Sequence, residues 1–149
     1  MRLELTRRGD YAVRAMLALA VMDEGRPVSA RRIAERMSIP VRFLPHVLAD
    51  LSRAGLVVGT TGRTGGYHLA VPADELDLLR IVDAVEDDGE GARCVLRGGP
   101  CGIDGRCAVH DAFSAATEAM RGELRRTTLA AVAAHGDRLR PLAGVALAR

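Results

Sequence analysis

Between Val13 and Leu51, apolar residues recur at helical spacing in three short runs, separated by Gly25 and Pro27 and by a Ser38-Ile39-Pro40 turn. No other feature restricts the possible folds as much. The first run, Val13, Met16, Leu17, Ala20 and Val21, steps by threes and fours and predicts a helix over 9–23. Ser29 stands where an N-cap belongs for a second helix, with Ala30, Ile33, Ala34 and Met37 on one face. After the turn, Leu44, Val47, Leu48 and Leu51 form the inward stripe of a third helix, and Gly55 occupies the C-terminal cap position. Two short helices joined by a three-residue turn make a helix-turn-helix. With aromatics at 3% of 149 residues and no Trp, the core around them has to be aliphatic.

Leu56-Val57-Val58 and Tyr67-His68-Leu69-Ala70-Val71 then read as two strands around a glycine-rich tip, Gly59 to Gly66, whose one charge is Arg63. A helix-turn-helix followed by such a hairpin is a winged helix. The expected fold class is therefore mainly α with a small β-hairpin: a winged helix-turn-helix plus a long C-terminal dimerisation helix. Charge is divided unevenly along the chain. Residues 1–70 hold 11 Arg against 6 acids and the remainder holds 10 Arg against 13, so the winged-helix half is the one that meets an anionic partner. On the DNA-binding reading, Arg42, His46 and Arg53 face outward from the third helix into a major groove. Arg63 at the wing tip reaches a neighbouring groove or phosphates. The competing reading is a protein-interaction module with a solvated Arg face. Pro45 lacks an amide hydrogen and is tolerated only in a first helical turn, so the third helix either begins near Arg42 or is distorted at its start.

Leu78, Ile81, Val82 and Val85 mark a fourth helix, and from about Ala108 a long helix carries Val109, Phe113, Ala116, Met120 and Leu124 as a stripe that needs a partner surface. Between them, residues 87–107 hold six glycines and all three cysteines, Cys94, Cys101 and Cys107. Three thiolates in a C-x6-C-x5-C spacing suit a soft metal centre, an iron-sulfur cluster or zinc, that lacks a fourth ligand. Structural zinc more often uses C-x2-C knuckles. His110, three residues beyond Cys107, and Asp10, at the start of the first helix, are the two candidates to complete the set. Each has a structural alternative, since an Asp there can cap a helix and a His can cap or pack. The chain divides into 1–72, a winged helix-turn-helix DNA-binding domain; 73–132, a cluster-binding loop and dimerisation helix; and 133–149, a tail. No apolar run spans a membrane or forms a signal core, so a cytoplasmic, thiol-reducing setting is expected. No nucleophile, base and orienting group stand together, so an enzyme is not expected; a small iron-sulfur electron carrier would leave the DNA-binding half unexplained.

Met1-Arg-Leu3, Gly9-Asp-Tyr-Ala-Val-Arg-Ala-Met16, Phe43-Leu44 followed by Leu51 to Leu56, Gly62-Arg-Thr-Gly-Gly-Tyr67 and the three cysteines together resemble the Rrf2 family of bacterial winged-helix regulators, in particular its iron-sulfur members. The resemblance extends from residue 1 to about 132, including Thr127-Thr-Leu-Ala-Ala131 near the end of the long helix. It implies a homodimer with crossing C-terminal helices that binds a double-stranded DNA operator, and a cluster in each subunit held by the cysteine loop. In IscR-like members the fourth ligand of a 2Fe-2S cluster is a His at the position of His110. In NsrR-like members the other subunit supplies an Asp, at the position of Asp10, to a 4Fe-4S cluster. RsrR-like members pair a Glu at that position with a His four residues later, where this chain has Arg14. The first cysteine gap is six residues rather than five, and Pro45 replaces the Glu that IscR-like members use in discriminating DNA. The resemblance implies a transcriptional regulator, most simply a repressor, that senses redox state, nitric oxide or iron-sulfur supply.

Overall fold

The computed structural model describes residues 4–22, 25–86 and 107–135. Six helices and one hairpin follow in the order α1 (Arg7–Met22), α2 (Ala30–Met37), α3 (Leu44–Arg53), β1 (Val57–Thr60), β2 (Gly66–Leu69), α4 (Leu78–Asp83), α5 (His110–Arg126) and α6 (Leu129–Ala133). The mainly helical fold with one antiparallel hairpin is the one the sequence leads to.

Helix α1 is the hub, packing against α2, α3, α4, α6 and β2. Ala12, Ala15 and Ala18 are wholly buried beside Met16 and Leu19, and such small side chains let neighbouring backbones approach on several sides. The inward face therefore differs from the expected stripe: Val21 is exposed and Val13 only half-buried, because neighbours surround α1 rather than covering one face.

The helix-turn-helix forms for the local reasons its sequence supplies. The Ser29 hydroxyl accepts the Arg32 amide hydrogen at 3.3 Å, satisfying one orphan donor at the start of α2. Ser38 closes α2 in the left-handed region, φ 54°, its amide donating to the Ala34 carbonyl. Helix α3 begins at Leu44, two residues later than Arg42, so Pro45 occupies the first turn, where its missing amide hydrogen has no helical acceptor to serve. Leu44, Val47, Leu48 and Leu51 are all buried against the core.

The hairpin pairs Val57 with Leu69 through Thr60 with Gly66, and Val71 falls outside it. Val28, in the connection before α2, pairs with Tyr67 through both backbone bonds, Val28 N to Tyr67 O at 2.8 Å and Tyr67 N to Val28 O at 2.9 Å. That pairing needs Gly66, where a Cβ would sit 2.7 Å from the Val28 carbonyl. The wing is thereby stitched to the helix-turn-helix.

The long helix expected to run through Thr127 ends instead at Arg126. Thr127 is extended and Thr128 caps a separate helix, its hydroxyl accepting the Ala131 amide hydrogen at 3.2 Å. Leu129 donates its amide to Leu76 at 2.7 Å and Leu78 donates to Thr127 at 3.0 Å, tying the break to the chain ahead of α4. The reason is packing: Leu129 is wholly buried in the same core as Leu76 and Ile81.

Candidate DNA-binding face and cluster ligands

Along α3 the residues left outside the core are Pro45, His46, Ala49, Ser52 and Arg53. His46 stands near its start and Arg53 at its end. Arg42 is not on the helix; it lies in the turn ahead of it, its guanidinium 4.8 Å over the Phe43 ring. Phe43 in turn meets Tyr11 of α1, ring centroids 6.0 Å apart. Arg63 is exposed at the wing tip beside Gly62, whose φ of 107° is open to glycine at little cost. The four basic residues expected to meet DNA are thus placed on the turn, the helix and the wing.

Asp50 is the single buried charged residue among those described, 7% exposed, and it joins two elements. Its Oδ2 accepts from Arg8 of α1, and its Oδ1 accepts from Arg53 at 2.9 Å. These guanidiniums, Arg8 foremost, hold the carboxyl below its usual range against burial, which acts to raise it. Sequence reasoning did not single out Asp50. Its pairing with Arg53 three residues on was legible as helix spacing, whereas Arg8, 42 residues away, was not.

The ligand candidates fall at both ends of the segment that carries the cysteines. Cys94 and Cys101 lie outside the described residues. Cys107 is half-buried just ahead of α5, and its carbonyl accepts the His110 amide hydrogen at 3.0 Å. Thiol and imidazole therefore belong to one tight turn at the start of that helix. At the other end, the Glu86 carboxylate accepts the Thr6 amide at 3.0 Å and the Thr6 hydroxyl at 2.7 Å, docking the end of the α4 region onto the N-terminus of α1. Gly9 makes the room, since a Cβ there would lie 2.3 Å from that carboxylate. Glu86 thus lies at the same end of α1 as Asp10. The Asp10 carboxylate accepts from Arg14 Nε at 2.8 Å and is 39% exposed, while Arg14 also reaches the Met37 carbonyl at 3.4 Å. Soft thiolate beside imidazole or carboxylate is a donor set that suits iron-sulfur ligation. Among the described residues no three such side chains gather at metal-binding distances.

A winged helix-turn-helix with an Arg-bearing third helix and a basic wing defines the class: a transcriptional regulator that binds DNA. The chain belongs to the Rrf2 family, whose model, described as "Iron-dependent Transcriptional regulator", matches residues 5–135. It is 34% identical over 135 residues to the HTH-type transcriptional regulator IscR of Serratia proteamaculans, covering 91% of this chain and 82% of that one. To IscR of Cronobacter sakazakii it is 33% identical over 127 residues, covering 85% and 78%. Of solved structures, T. potens IscR matches with a TM-score of 0.75 at 25% identity over 95% of this chain and 94% of that one. Staphylococcus aureus CymR matches at 0.68 and 27% over 86% and 96%. Proteins of this kind are not enzymes, and no described helix is long and apolar enough to cross a membrane.

Proposed function

We propose that this regulator is a cytoplasmic homodimeric repressor whose affinity for its operator depends on an iron-sulfur cluster, so that it senses redox state, nitric oxide or iron-sulfur supply. The observation that carries the reading is the position of the described residues on either side of the cysteines: Glu86 docks on Thr6 at the end of α1 that bears Asp10, and the Cys107 carbonyl accepts the His110 amide hydrogen. Cys94, Cys101 and Cys107 would hold the cluster, completed by Asp10 from across the dimer as 4Fe-4S or by His110 as 2Fe-2S. When bound, such a cluster supplies one-electron chemistry and a labile bond to its oxygen or nitrogen ligand. The protein supplies the coupling. Asp10 lies on α1, and α1 packs directly against α3, so a force on that carboxylate acts on the DNA-reading helix. Arg42, His46, Arg53 and Arg63 make the DNA contacts.

The deciding experiment is anaerobic purification of wild type, Asp10→Ala and His110→Ala, followed by absorption spectroscopy and native mass spectrometry. Coloured wild-type protein, with one of the two variants losing or changing its cluster, is expected. Colourless protein with stoichiometric zinc overturns the reading, and a cluster unchanged in both variants overturns both ligand assignments. A second reading, in which the cysteines hold zinc or oxidise directly, draws on the likeness to S. aureus CymR, a structure of which is described as an oxidized form. Metal analysis separates the two.

A further inference from the structure

Beyond the third helix and the wing, a groove of about 370 Å³ runs along the seam between the start of α1 and α3. Its floor is apolar, Tyr11, Phe43 and Val47, and its rim carries Arg7, Arg8 and His46 with no acid among them. One turn further along α3 lies Asp50, which ties Arg8 to Arg53 through its two oxygens. One carboxylate there faces two guanidiniums. Each guanidinium has five N–H donors, so most remain for another acceptor, and the Arg8 and Arg53 side chains are 58% and 76% exposed.

We propose that this seam is a DNA-backbone site, in which Arg8 and Arg53 bind phosphate oxygens and Asp50 is the positioning residue that sets their geometry. The proposal rests on the reading of α3 as the DNA-contacting helix. Three features favour the sugar–phosphate backbone as occupant. The surplus charge is positive, the donors are planar forks that match phosphate oxygens, and the seam is continuous with the exposed face of α3 through His46 and Arg53. An exposed ion pair fixes little, but here the anion is buried and the cations are not. The arrangement spends the buried charge on holding two exposed ones in place. The DNA footprint then extends from α3 onto Arg8 in the first turn of α1, two residues from Asp10.

Counting phosphates by salt dependence tests this. Affinity of the anaerobically purified protein for a fluorescent mixed-sequence duplex of about 30 base pairs is measured from about 50 to about 200 mM salt, where each phosphate contact contributes about 0.9 to the log–log slope. Arg8→Gln should lower the slope by about 0.9, making the affinity lost across that range about threefold smaller. Asp50→Asn gives the sharper sign. Removing a negative charge that has only a structural role strengthens DNA binding, whereas loss of a positioning residue weakens binding and lowers the slope by about one to two contacts, with Asp50→Glu restoring it in part. Melting by circular dichroism confirms folding; if Asp50→Asn does not fold, Arg8→Gln combined with Arg53→Gln carries the test, and its slope should fall by about two contacts. Arg63→Gln separates the two readings. A slope lowered by Arg63→Gln but unchanged by Arg8→Gln, or tighter binding by Asp50→Asn, overturns the seam and leaves the wing. No binding by wild type at low salt overturns both.

Discussion

Asp50 shows how one residue makes a local helix pattern into a tertiary link. On α3 it stands at the edge between the buried stripe and the outer face, where a carboxylate is unfavourable unless paired. Arg8 and Arg53 pair it, and the effect on titration has a definite sign. The folded-state pKa is depressed, so the contribution to stability is present above the unfolded carboxylate value and is lost as pH falls through the folded one. The difference in melting temperature between wild type and Asp50→Asn should therefore be constant from neutral pH down to about 5 and shrink below about 4. A difference that shrinks as pH rises would contradict the assignment. Thermal melts across a buffer series read it directly.

At the scale of elements, the caps were legible and the breaks were not. Ser29 and Gly55 mark their helix ends in the sequence because capping is a contest among neighbouring backbone groups, decided within a few residues. Thr127 and Thr128 mark a break that periodicity runs straight through, because what ends α5 is a partner far away, the backbone ahead of α4. Leu129 is the anchor. Its truncation to Ala should cost about 2–5 kcal/mol, since the side chain is wholly buried and the surrounding core relaxes only partly. Urea unfolding should show this as a lower midpoint at unchanged slope. A loss of only a few tenths of a kcal/mol would mean that α6 merely rests on the core.

For the whole molecule, the decisive feature is a long helix that the other described residues cover only in part, α4 meeting it near Arg121. None of the 17 residues of α5 is buried, and Phe113, in its first turn and part of its apolar stripe, is 37% exposed. A stripe of that kind is stable in water when a second surface covers it. On the homodimer proposal that surface is the same helix of another copy. Phe113→Asp should then shift the sedimenting species from dimer to monomer at micromolar concentration, with helical content retained. Wild-type protein that sediments as a monomer would remove the dimer, and with it any donation of Asp10 across subunits. The placement of the cysteines shows the same division of information. Their soft-donor chemistry and their count are evident in the sequence, while the docking of Glu86 on Thr6, 80 residues apart, is not.

What the sequence determined alone is everything governed by short range: the helix-turn-helix with its caps, the hairpin, the basic half, the three cysteines gathered in one stretch, and the family these spell out. Only the tertiary structure decided that α1 is surrounded rather than one-sided, that Arg42 precedes α3, that the long helix breaks at Thr127, and that Arg8 and Arg53 share one buried carboxylate. The reason is physical. Helical spacing and capping are set by backbone geometry within a turn or two, but which face is covered and which charges meet is set by packing between segments whose separation along the chain carries no trace of their distance in space.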